Sequence, residues 1–214
     1  QGTPVTYTHP CLAQLRQTVG LVFQDPEDQI FSSNVYQDIA FGPLNLQLPR
    51  SEIERRTTQA MALTGTAHLA QRPTHLLSFG EKKRVAIAGV LAMHPEVMIF
   101  DEPTAGLDPK LSEEMLVLLE NLHHAGATLI CSTHDMDFAF GWADNCIVLS
   151  RGRVAAAGSA EEVFQDTTLL GEHGLCEPVV QRVFREVIGG SMPGSSQPVP
   201  KTLEMLIRLL QAKI

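Results

Sequence analysis

The stretch Val97-Met98-Ile99-Phe100-Asp101-Glu102-Pro103-Thr104-Ala105-Gly106-Leu107-Asp108-Pro109 constrains the fold more than any other part of the 214-residue chain. Four consecutive apolar residues, set between Pro95-Glu96 and two carboxylates, read as a short strand buried on both faces, the pattern of a parallel sheet. Asp101 and Glu102 then stand at the strand's carboxyl end, the edge where open α/β sheets bind ligands. Adjacent acids at such an edge suit a metal ion and the phosphates it carries, one acid holding Mg²⁺ and the other activating water. A plainer reading makes this a strand-to-helix turn, with Asp108 as N-cap and Pro109 at the first helical position. The two readings are compatible, and the acidic pair alone does not choose between them.

Residues 18–23 form a second β-rich run that ends where Pro26 forces a turn, so Gln24 also projects from a strand's carboxyl end. A helical pattern starting at Ser33 runs to about residue 46, interrupted at Phe41-Gly42-Pro43. A second helix is expected to be capped by Ser51, with Glu54 completing a capping box, and to stop at Gly65. Residues 34–72 are thus strand-free, an insertion between sheet strands. Leu77-Ser78-Phe79-Gly80-Glu81-Lys82-Lys83-Arg84 opens a long helix running to about residue 93. Ser78 and Glu81 fit a capping box that needs no ligand. Equally, Ser78 and the amides around Gly80 could form an anion site at a helix N-terminus.

The helix expected over residues 109–126 carries Leu111, Met115, Leu118, Leu119 and Leu122 on one face. Residues 128–133 make the next buried strand, with His134-Asp135 at its carboxyl end. A hairpin follows, with strands at residues 146–149 and 153–155 around Ser150-Arg151-Gly152, and Ser159 caps a helix over 160–164. Two further helices, about 178–188 and 203–213, flank a Gly/Ser/Pro-rich linker at 189–198 whose composition marks it as mobile.

The net charge of −8 argues against binding driven by nucleic-acid or anionic-lipid electrostatics. The longest apolar run, residues 85–93, falls far short of the roughly 20 residues that cross a bilayer, so a soluble protein is expected. Cys11, Cys131, Cys146 and Cys176 lack CxxC spacing and read as free, buried thiols of a reducing compartment. His123-His124, just before Gly126, reads as a solvated pair favoured by the helix dipole.

Taken in order, these motifs resemble the nucleotide-binding subunit of ATP-binding cassette transporters. Gln24 matches the Q-loop, residues 77–81 the signature, residues 97–102 the Walker B strand, residues 105–108 the D-loop, and His134 the switch histidine. Within the family, Gln24-Asp25-Pro26-Glu27-Asp28-Gln29-Ile30-Phe31, together with residues 38–46, is similar to the energy-coupling-factor importers. Residues 77–84 and 172–187 look most like the CbiO-type cobalt subunit.

The resemblance implies an α/β fold, a P-loop NTPase (RecA-like) parallel-sheet core with an inserted helical subdomain. It divides the chain into core with Q-loop (1–32), helical subdomain with signature (33–93), core with Walker B, D-loop and switch histidine (94–165), and a C-terminal helical extension (166–214). It implies ATP and Mg²⁺ as ligands. Asp101 would position Mg²⁺ through water, Glu102 would polarise the attacking water, and His134 would contact the γ-phosphate. Gln24 would contact metal and water, and Ser78, Gly80 and Asp108 would act across a dimer interface on the opposite subunit's ATP. The implied partners are a second ATPase subunit, alike or different, and transmembrane coupling and substrate-binding proteins, with no nucleic acid. The implied location is peripheral, on the cytoplasmic face of the cell membrane, in service of metal-ion import.

Two departures stand out. Phe79 and Glu81 replace the commoner glycine and glutamine, so Phe79 lacks glycine's freedom at positive φ and Glu81 brings negative charge toward a triphosphate. No GxxxxGK[ST] occurs in the 214 residues, and a chain opening at Gln1 is expected to be an N-terminally truncated piece whose phosphate loop would precede it. That absence keeps a noncatalytic regulatory or assembly module as the alternative. A DNA-repair ATPase of the same motif set is disfavoured, because only some fifty residues separate Gln24 from Leu77 and they carry no sustained heptad.

Overall fold

The computed structural model of the chain describes residues 6–188 and 199–211; the linker expected at 189–198 lies outside the described residues. Two compact units meet between Ser132 and Thr133.

The first unit runs α1 (His9–Thr18), β1 (Val19–Val22), α2 (Val35–Asn45), α3 (Arg50–Leu63), α4 (Phe79–Leu91), β2 (Val97–Asp101), α5 (Pro109–His124) and β3 (Thr128–Ser132). Its sheet has the order β1-β2-β3, all parallel, with Val22 opposite Phe100 and Asp101 opposite Ser132. Met98 and Phe100 are fully buried, whereas Val97 and Ile99 are only half-buried, so the strand expected to be covered on both faces is fully covered on one. β3 departs further from expectation. Ile130 is 51% exposed, because this strand is an edge, hydrogen-bonded only to β2 among the described residues.

α2, α3 and α4 enclose their own core of Val35, Ile39, Met61, Leu69, Val85 and Ala88. Asn34, not Ser33, caps α2 by accepting from Gln37 N–H. The helix continues through Pro43, which falls in its last turn and costs it only one donor. Ser51 is not a cap. Pro49 in extended conformation offers its carbonyl to Glu52 and Ile53 N–H, and Glu54 pairs instead with Arg50 at 3.0 Å. Gly65, at φ +69°, follows the end of α3 as expected.

The second unit holds α6 (Met136–Trp142), a hairpin of β4 (Asn145–Ser150) and β5 (Arg153–Ser159), α7 (Ala160–Gln165), α8 (Thr167–Glu172), α9 (Val179–Ile188) and α10 (Leu203–Gln211). The hairpin pairs antiparallel, and Ser159 forms the expected capping box with Glu162. Phe140, Ala160, Phe164 and Leu170 make this unit's core. All four cysteines are free, but none is fully buried and Cys176 is exposed, contrary to the buried thiols expected. Among the described residues no helix is long and apolar enough to cross a membrane.

Candidate functional site

The parallel register brings three of the sequence-marked residues to one edge of the sheet. Since Val22 lies opposite Phe100, Gln24 and Glu102 each lie two residues beyond that pair on neighbouring strands. Asp101 ends β2, exposed, and its Oδ1 accepts the hydroxyl of Ser132 at 2.5 Å. Ser132 went unmarked in the sequence; the β2–β3 register that sets it beside Asp101 is a tertiary fact.

Glu102 sits in a left-handed conformation at φ +46°, a backbone state that non-glycine residues adopt only where surroundings enforce it. Three groups do so. Its N–H donates to the Ser132 carbonyl at 3.0 Å, while its carbonyl accepts from Ala105 N–H at 3.1 Å and from the Lys83 ammonium at 3.0 Å. Asp108 then caps α5 through Leu111 N–H at 2.9 Å, with Pro109 in the first turn, as the strand-to-helix reading requires.

Ser78 caps α4 in a complete capping box: Glu81 N–H donates to the Ser78 hydroxyl at 3.3 Å, and Ser78 N–H donates to the Glu81 carboxylate at 2.7 Å. That backbone bond, reinforced by Arg72 at 3.2 Å, holds the Glu81 carboxyl below the usual carboxylate range. The negative charge expected to face a triphosphate is therefore engaged by its own helix start and by Arg72. Phe79 has no positive φ, so this position makes no use of glycine's freedom. Gly80 is buried against Leu111, whose Cδ1 would lie 3.0 Å from an added Cβ. α4 is also tied to the loop after Gln24 by the ion pair of Lys82 with Glu27.

Lys83 is the residue the sequence hid. It is 1% exposed, and its ammonium donates to the carbonyls of Glu102 and Ala105 and lies 5.6 Å from the Phe79 ring centroid. Burial pulls its pKa below the ordinary 10.5, with the Glu102 and Asp25 carboxylates opposing that shift. A signal existed in the spacing: Gly80, Lys83 and Ile87 fall on one buried helical face.

Among the described residues no cluster of three or more His, Cys, Asp or Glu could hold a metal by itself. Mg²⁺ in general keeps most of its waters and is held by one or two carboxylates plus substrate phosphates. Asp101 offers the hard oxygen such an ion takes. His134 belongs to the second unit, between the end of β3 and the start of α6, which Asp135 caps through Phe138 N–H.

The sequence profile of the family described as "ABC transporter" matches residues 1–105. The chain is 42% identical over 212 residues to an energy-coupling factor transporter ATP-binding protein, EcfA2, of Methanospirillum hungatei, covering 98% of this chain and 52% of that protein. It is 46% identical over 205 residues to a cobalt import ATP-binding protein, CbiO, of Rhodobacter capsulatus, covering 96% and 73% respectively. A solved structure of cbiO1 from Clostridium perfringens, part of the ABC transporter complex cbiONQ, superposes with a TM-score of 0.73 at 44% identity. That superposition covers 88% of this chain and 72% of the other. The chain spans about half the length of the first of these relatives.

Proposed function

Because this chain belongs to the ABC transporter family, we propose that it forms part of an ATPase that energises import of a transition-metal ion, cobalt foremost, through a membrane transporter complex. The observation that carries the reading is the shared sheet edge, where Asp101 and Glu102 end one strand and Gln24 follows its parallel neighbour. The cobalt assignment leans on the R. capsulatus protein named for cobalt import.

Mg²⁺, bound with ATP, would supply charge neutralisation to the phosphates. In this reading Asp101 holds that ion through water, its free rotation limited by the Ser132 hydroxyl. Glu102 accepts the proton of the attacking water as general base. Gln24 orients the same water and ion, and His134 steadies the γ-phosphate. Ser78, Gly80 and Asp108 serve the ATP of a second subunit, alike or different. Phe31, 64% exposed and edge-on to Phe41 at 4.6 Å between ring centroids, offers an apolar surface to a transmembrane partner on the cytoplasmic face.

Joined to a phosphate-loop segment, the protein tests the catalytic reading through Glu102→Gln. The amide keeps the side chain's volume but cannot serve as base, so ATP binding should persist while single-turnover hydrolysis falls by roughly two to four orders of magnitude. Hydrolysis at the parental rate would remove Glu102 from this role.

A further inference from the structure

The turn that carries Glu102 is unusual in what supports it. Two of its residues occupy left-handed backbone, Glu102 at φ +46° and Gly106 at φ +75°, so it is not a turn the chain adopts by local preference. Both local bonds that close it, Ala105 N–H to Glu102 O at 3.1 Å and Leu107 N–H to Thr104 O at 3.2 Å, are ordinary backbone bonds. Against it stands a lysine that is 1% exposed, although burying an ammonium is costly unless the group is fully engaged. The ammonium is engaged on two sides of that same turn, with the Glu102 carbonyl at 3.0 Å and the Ala105 carbonyl at 2.9 Å. The Phe79 ring covers the ammonium, and its Cε1 would lie 3.0 Å from a Cβ added at Gly106. Phe79 and Lys83 are four apart on α4, so one helix face meets the turn at both of its left-handed residues.

We propose that Lys83 is a positioning residue for Glu102: its buried ammonium latches the carbonyls of Glu102 and Ala105, fixing the left-handed turn, and so couples the signature helix to that turn within one chain. The functional consequence rests on the reading of Glu102 as the base. A displacement of α4 alters the Glu102 turn directly, through Lys83, without passing through a second subunit. Phe79 excludes water from the latch, giving the ring a purpose at a position where glycine is commoner in the family.

Amide hydrogen exchange of the 214-residue chain tests the latch without any hydrolysis. Lys83→Met keeps the apolar stem and removes the donor, so amides in residues 104–107 should exchange roughly tenfold faster, the effect of losing charged bonds to two carbonyls. Exchange within α3, which belongs to the helical core of Val35, Ile39 and Met61, serves as the control for folding and should be unchanged. Lys83→Arg, which retains a buried cation and its donors, should keep residues 104–107 close to parental protection. Unchanged protection in Lys83→Met, acceleration spread equally into α3, or Lys83→Arg behaving like Lys83→Met would each overturn the proposal. A failure of Glu102→Gln to slow hydrolysis would instead overturn the functional reading and leave the exchange pattern standing.

Discussion

Gly106 shows how one residue type is imposed from two directions. Its φ of +75° excludes most side chains on backbone grounds, and the Phe79 ring occupies the space a Cβ would need, with Cε1 at 3.0 Å and Cζ at 3.3 Å. Gly106→Ala should therefore cost about 1–2 kcal/mol for the left-handed backbone, with a steric addition from the ring. Phe79→Gly separates the two, since in that background only the backbone share of the Gly106→Ala cost should remain. Chemical denaturation of the two single variants and the double variant measures the coupling. A Gly106→Ala chain as stable as the parent would show that the turn has another low-energy form. The family D-loop resemblance marked Gly106 in the sequence, but not the reason for it. Phe79 and Gly106 are 27 positions apart, and nothing local announces that they touch.

At the scale of elements, legibility followed how local the cause is. The caps at Ser78, Asp108 and Ser159 were readable because each bond spans three residues and leaves its signature in the sequence. At Ser51 the same local logic fails: the spacing to Glu54 fits a capping box, but Arg50 holds the glutamate and Pro49 sets the start of α3. α6, at seven residues, and α8, at six, are too short to show a helical period, and neither was anticipated. β1 and β2 are legible as apolar runs; their register, which assembles Gln24, Asp101 and Glu102, is not, because it pairs segments far apart in the chain, Val22 with Phe100. α3 also carries a pH-dependent element. Glu52 accepts from Arg55 at 2.8 Å and from Arg56 at 2.6 Å, and these bonds lower its pKa from 4.5 to about 2. Folding thus favours the ionised form, so the stabilisation is complete above pH 4.5 and fades as pH falls toward 2. The difference in melting temperature between parent and Glu52→Gln should be constant near neutrality, shrink across that window, and shrink also with added salt, since the carboxylate is partly exposed. A difference that persists unchanged at pH 2 would mean Glu52 acts through packing instead.

For the whole molecule, exposed apolar surface falls in both units. In the first unit β3 is an edge strand with Ile130 51% exposed; in the second, Ile147, Leu149 and Val154 of the hairpin are 66%, 74% and 62% exposed. Such edges and apolar faces are ordinarily paired or covered. In the proposed reading the 214 residues would supply acids for a metal and water and a signature helix, but they contain no GxxxxGK[ST] whose amides and lysine would cradle phosphates. The 214-residue chain by itself should therefore show no saturable binding of Mg-ATP, as monomer or as dimer. Two copies would bring two signature helices and two acidic strand ends, and neither replaces a loop of amides wrapped around the β-phosphate. The capping box strengthens this expectation, since the Ser78 hydroxyl and the Glu81 carboxylate already satisfy each other's backbone at the N-terminus of α4. Isothermal titration of the chain with Mg-ATP is the direct measurement, and a flat isotherm into the millimolar range is the expected result. Saturable micromolar binding that disappears in Asp101→Ala would overturn it, and would require that residues within this chain hold the phosphates by a route other than the family's loop.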